Sequence, residues 1–151
     1  MSTMTQTSVQ VYNVFIKASP EQIWEAITKP EFTSKYFYGS LVDSTLDIGS
    51  PFIGWSPDRS QQWTDGEVLE SDPPRKLSYT WRALYDEETA LEEPSRVTWE
   101  IEPADGGVTK LTVVHDQLEG SPKTAEHVAG GWMYILSGMK TLLETGEPLQ
   151  A

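Results

Sequence analysis

Apolar residues recur every three or four positions near the end of this chain and every second position through most of what precedes it. From Ser121 to Gly146 the apolar set is Val128, Trp132, Leu136, Met139 and Leu143, widened by Ala125, Ile135 and Leu142. That spacing places one stripe on one face of a helix. Ser121 suits an N-cap, Pro122 the first helical position and Gly146 the closing residue, so the pattern predicts one long helix over 121–146. The stripe must be buried, and the only partner written into the chain is a sheet upstream.

The upstream pattern begins with a dense apolar run, Val9 to Ile16, which reads as a well-buried first strand. Ser19-Pro20-Glu21-Gln22 then has the form of a capping box with proline at the first helical position, and Ile23, Trp24 and Ile27 supply the buried side of a short helix. Lys29-Pro30 ends it, and Pro30 to Tyr36 predicts a further helical turn carrying Phe32, Tyr36 and Phe37. Short strands follow over Gly39–Leu46 and Ser50–Trp55, separated by the turn Asp47-Ile48-Gly49. Trp63–Ser71 and Lys76–Leu84 form a hairpin about Asp72-Pro73-Pro74, with Leu77, Tyr79 and Trp81 alternating against Ser78, Thr80 and Arg82. Arg96–Glu102 and Val108–Gln117 form another about Ala104–Gly107, and Tyr85–Pro94 reads as an acidic loop with at most a short helix. The order predicts an α+β fold: a curved antiparallel sheet of six or seven strands wrapped round the long C-terminal helix, with two short helices after the first strand. Residues 9–147 form one domain in this reading, 1–8 a flexible N-terminus and 148–151 a tail.

Composition narrows the chemistry. The 151 residues carry a formal charge of −12, which argues against nucleic acid and against anionic membrane surfaces as partners. There is no cysteine, so thiolate catalysis, disulfides and cysteine metal sites are excluded. With no long apolar run and a polar Met1–Thr7, neither membrane insertion nor export is expected, and a cytoplasmic location follows as the expectation. Aromatic residues make up 11% of the chain, six of them Trp, which points to an aromatic core, a pocket, or both.

A curved sheet closed by one helix leaves room for a cavity, and the residues expected to face it are Trp63, Tyr79, Trp81 and Trp99 from the sheet with Trp132, Met133 and Leu136 from the helix. Phe37, with Tyr38, is placed at one end, and His115, on a strand face with Leu111 and Val113, is read either as a hydrogen-bonded core residue or as a group that faces the cavity and can move a proton. Burial of an aromatic ring removes about 150–250 Å² from water at about 25 cal/mol/Å², so core packing alone can also account for any one of these residues. Gly130, Gly131 and Gly138 inside the helix signal either close approach to the sheet or a bend that admits a ligand. The Tyr85–Pro94 segment is either a lid over the cavity mouth or a solvated loop. Arg82 is read as a surface ion pair or an anchor for an anionic group, and the carboxylate pairs Asp65/Glu67 and Glu100/Glu102 as wet strand surface. His127 is expected to be exposed. His115 and His127 lack any ligand spacing, so no metal, no cofactor and no catalytic set is assigned.

Several of these segments together resemble a known family. The opening Val14-Phe15-Ile16-Lys17-Ala18-Ser19-Pro20-Glu21-Gln22-Ile23-Trp24-Glu25-Ala26-Ile27 with Pro30-Glu31-Phe32, then Asp65-Gly66-Glu67-Val68-Leu69-Glu70, Pro73-Pro74-Arg75-Lys76-Leu77 and Gly131-Trp132, are similar to the START-like helix-grip superfamily (SRPBCC). Within it they resemble the branch of homologues of the activator of heat-shock-protein-90 ATPase, over about Val9 to Glu144. The resemblance implies a helix-grip fold and an apolar pocket without an agreed catalytic motif. The expected function is therefore binding of a small hydrophobic or aromatic molecule between sheet and C-terminal helix. Two rivals stand beside it: a cyclase- or aromatase-like enzyme using the same pocket, and a chaperone-associated protein-binding module. A homodimer or another protein partner stays open at this stage.

Overall fold

The computed structural model describes residues 9–149. The expected limits of a flexible 1–8 segment lie outside the described residues, as does the end of the 148–151 tail. Eight strands are formed: β1 (Gln10–Ile16), β2 (Leu41–Asp43), β3 (Ile53–Trp55), β4 (Gln62–Asp65), β5 (Val68–Asp72), β6 (Lys76–Ala83), β7 (Ser95–Pro103) and β8 (Thr109–Asp116). The helices are α1 (Pro20–Thr28), α2 (Pro30–Tyr36), α3 (Glu87–Ala90), α4 (Pro122–Val128) and α5 (Gly131–Thr145). The sheet is antiparallel in the order β1-β8-β7-β6-β4-β3-β2, with β5 also paired to β6. Its concave face, with Leu77, Tyr79, Trp81, Val97, Trp99, Leu111 and Val113, packs on Trp132, Ile135, Leu136, Met139 and Leu142 of the C-terminal helix.

Local chemistry explains the first elements. Ser19 Oγ accepts from Gln22 N at 3.2 Å while Gln22 Oε1 accepts from Ser19 N at 2.8 Å, so the capping box closes in both directions. Tyr36 at the end of α2 donates to the Ala26 carbonyl at 2.7 Å and ties the two short helices together. Gly138 of α5 lies where a Cβ would sit 3.2 Å from Tyr36 Cβ, which is the close approach of α2 to the long helix.

Four expectations change. The strand expected over Trp63–Ser71 is two strands, β4 and β5, both paired with β6, which raises the count to eight. The chain breaks at Gly66, where any Cβ would collide with the Thr80 carbonyl, while Glu67 N donates to Thr80 Oγ1 at 2.9 Å. The first strand is buried on one face only: β1 is an edge strand, and Val9, Val11 and Phe15 face outward and exposed.

The single long helix is also two, α4 and α5, interrupted at Ala129–Gly130. Breaking a helix frees carbonyls that need donors, and β1 supplies them. Gln10 Nε2 donates to Ala125 O at 3.1 Å and Tyr12 Oη to Ala129 O at 2.8 Å. Ser121 holds the N-cap position of α4, but its side chain makes no capping bond; its hydroxyl donates to the Glu93 carbonyl. The cap comes instead from Glu92, whose carboxylate accepts from Lys123 N at 2.9 Å and Thr124 N at 2.8 Å. Those bonds hold the carboxyl of Glu92 below its ordinary range against the opposing effect of burial.

Gly66→Ala should lower the stability of the fold by about 2 kcal/mol through overpacking against Thr80. Urea unfolding would measure this, and a change within experimental error would show that the β4–β5 break does not depend on glycine.

Candidate functional site

Between the concave sheet and the α4–α5 break lies an open cavity of about 470 Å³. The turn from α2 to β2 contributes Phe37, Tyr38 and Ser40, and β4 contributes Trp63 and Thr64. Trp81 and Tyr85 come from β6 and the loop after it; His127, Val128, Gly131, Trp132 and Ile135 come from the broken helix. Among the described residues, no Lys, Arg, Asp or Glu stands on this wall. A cavity of this size and lining can enclose a small apolar molecule, with specificity left to a few polar groups.

The α2–β2 turn is held by Thr33, whose hydroxyl donates to Ser40 O at 2.9 Å and accepts from Val42 N at 3.2 Å. Tyr38 adopts φ +54° and Gly39 φ +81°, which turns the chain sharply and sets Tyr38 over the mouth. There its ring stacks on Tyr134 at 5.6 Å, and its hydroxyl lies 3.4 Å from where a Cβ on Gly131 would stand. On the opposite rim Tyr85 lies 6.2 Å from the His127 ring, and His127 Nε2 is 4.0 Å from Asp86 Oδ2. Burial, then the Asp86 carboxylate and Tyr38, push the Tyr85 hydroxyl above its ordinary range. The acidic segment beneath this rim is braced to the broken helix by Glu92 and Glu93 and contains the short helix α3.

His115 lies behind the wall and is fully buried. The indole N–H of Trp132 can only donate, so the bond of 3.0 Å to His115 Nδ1 makes that nitrogen an acceptor. The proton then resides on Nε2, which donates to Ser95 Oγ at 2.6 Å, and Ser95 donates onward to Trp81 O at 3.2 Å. Every polar atom of the imidazole is used. Burial lowers the His115 pKa to about 4, with Asp116 pulling the other way, so the ring is neutral near pH 7.

Of the residues expected at the cavity, Phe37, Trp63, Trp81 and Trp132 line it. Tyr79 and Trp99 sit deeper, round a recess of about 20 Å³, with Trp99 Nε1 donating to Tyr79 Oη at 3.0 Å. His115 and Leu136 are buried away from the cavity wall, and Met133 is on the exposed side of α5. Arg82 is engaged by Asp65 through Nε at 3.1 Å and Nη2 at 2.9 Å. His127 is exposed, as expected, and stands at the rim of the cavity. Ser40 and Thr64 were not anticipated. Their positions depend on the sharp turn at Tyr38-Gly39 and on the pairing of β3 with β4, which periodicity does not encode.

The family model described as "Activator of Hsp90 ATPase homolog 1-like protein" matches residues 17–144. Solved structures share the helix-grip arrangement. Protein MLL2253 from Mesorhizobium loti is 24% identical with a TM-score of 0.71, over 90% of this chain and 96% of that one. PFC0360w, described as an HSP90 activator from Plasmodium falciparum, is 22% identical with a TM-score of 0.71, over 93% and 98%. The Aha1 dimer from Colwellia psychrerythraea is 19% identical with a TM-score of 0.71, over 91% and 97%. No protein of curated function matches the chain.

The buried histidine makes stability depend on pH. Its folded pKa of about 4 is below the ordinary value of 6.5, so the unfolded chain takes up the proton first as pH falls. Stability from this group is complete above about pH 6.5 and is lost progressively toward pH 4, by about 3 kcal/mol. Urea unfolding at pH 7 and pH 4 should show that much extra loss in the wild type relative to His115→Gln. Equal pH slopes in the two proteins would rule this account out.

Proposed function

The chain belongs to the activator of Hsp90 ATPase homolog 1-like family, and we propose that this member binds one small, neutral, mainly aromatic or apolar molecule in the cavity beside the α4–α5 break. The observation that carries the reading is the open volume of about 470 Å³ with an aromatic wall and no carboxylate, guanidinium or ammonium group on it. Burying apolar ligand surface there supplies the affinity, at about 25 cal/mol/Å² before the cost of association. A charged ligand would lose its hydration with no Lys, Arg, Asp or Glu among the described lining residues to pair with.

An enzymatic role for the same pocket would need a reachable acid or base. His115 is locked by Trp132 and Ser95, and His127 stands at the rim with its Nε2 4.0 Å from Asp86 Oδ2. These observations favour binding over acid–base chemistry. The description of the Plasmodium falciparum neighbour as an HSP90 activator supports a second reading, in which the outer surface of the domain meets another protein. Such a partner would not need the cavity, so a change confined to the cavity wall separates the two.

Titration with N-phenyl-1-naphthylamine, followed by its fluorescence, should give saturable binding at one molecule per chain. Trp63→Ala removes a half-buried wall residue, and it should weaken that binding about tenfold while moving the Tm by no more than about 3 °C. Absence of saturable binding to the wild type would overturn the reading.

A further inference from the structure

The floor of the cavity carries two hydroxyls with no bonding partner among the described residues. Ser40 is only 6% exposed; its backbone carbonyl is used by Thr33, but its Oγ bonds to nothing, and neither does Thr64 Oγ1. These atoms are not sealed in the core. The one sealed side-chain polar atom without a partner among the described residues is Trp55 Nε1, so Ser40 and Thr64 are open to the cavity they line.

Both hydroxyls converge over Gly54 of β3. A Cβ at that position would overlap Thr64 Oγ1 and stand 2.9 Å from Ser40 Oγ. Gly54 does not have positive φ, so backbone conformation does not demand glycine there. The space does.

The same two residues border the inner recess of about 20 Å³, together with Tyr79. That volume suffices for one water-sized group. The Tyr79 oxygen accepts from Trp99 Nε1 at 3.0 Å, and its own proton has no acceptor among the described residues. Two unpartnered hydroxyls and a third with a free proton thus border one small recess beside an otherwise aromatic chamber.

We propose that Ser40, Thr64 and Tyr79 form a subsite for a single neutral oxygen of the ligand, a hydroxyl or a carbonyl, while the aromatic wall takes the remainder. This rests on the cavity-binding reading and makes it specific: the ligand class is a neutral phenol, alcohol or ketone with a mainly aromatic body. Hydroxyl groups can donate to a carbonyl and accept from a phenol, so both fit. A bare hydrocarbon would leave the three groups unsatisfied, and a carboxylate would find no Lys or Arg among the described lining residues.

Calorimetric titration with two probes, naphthalene and 1-naphthol, tests the subsite. Replacing both hydroxyls, in Ser40→Ala/Thr64→Val, should weaken 1-naphthol about tenfold and leave naphthalene unchanged or tighter, as expected for two neutral hydrogen bonds. Thr64→Val alone preserves shape at a half-exposed position, so it covers the case of a double variant that fails to fold; a loss of about threefold for 1-naphthol only is expected. Equal losses for the two probes, or no loss for either, would overturn the subsite while leaving the cavity reading intact. Failure of naphthalene and 1-naphthol alike to bind the wild type would overturn both.

Discussion

Trp132 buries its indole N–H at the centre of the domain, where water cannot reach it, and the rest of the interior is arranged round the group that accepts that proton. An unpartnered donor there would cost about 1–3 kcal/mol. His115 accepts the bond at 3.0 Å, which fixes the imidazole as the neutral tautomer protonated on Nε2 and directs the next bonds to Ser95 and the Trp81 carbonyl. Three strands and the long helix are joined by this one chain of donors and acceptors. The rings follow: Trp99 and Phe37 meet Trp132 edge-on at 5.5 and 5.9 Å, the geometry that places the positive edge of one ring on the negative face of another. Helix α5 is thereby fixed in rotation as well as in depth.

The helix break is the counterpart of that anchoring. With α5 seated on the sheet by Trp132, the helix is interrupted at Ala129–Gly130, and the cavity lies beside that interruption. A break of this kind exposes backbone groups at both new ends. Tyr12 and Gln10 supply donors to the carbonyls before the break, and the Glu92 carboxylate accepts amides at the far, N-terminal end of α4. The carbonyls beside the cavity are thus answered from β1 rather than by a continuous helix. The cavity's aromatic lining and lack of ionic groups then follow from residues whose first role is to form the concave face of the sheet.

Much of the fold was legible in the chain. Alternation at Leu77, Tyr79 and Trp81, the capping box at Ser19–Gln22 and the stripe Val128, Trp132, Leu136 and Met139 are local patterns, because strand and helix periods are properties of neighbouring residues. The resemblance carried by the same segments placed them in the right family. Of the site, Phe37, Trp63, Trp81 and Trp132 were legible as large apolar residues on the inner face. Only the tertiary structure decided that Tyr79 and Trp99 lie deeper, which atoms take the hydrogen bonds of His115, and that Ser40, Thr64 and His127 border the cavity. Each of those outcomes depends on partners distant in sequence, such as Thr33 with the Ser40 carbonyl across a tight turn or Trp132 with His115 across the helix–sheet interface. Periodicity tells a residue which face it is on. Which atom it meets there is set by register, crossing and the need to satisfy every buried polar group, and those exist only once the chain has folded.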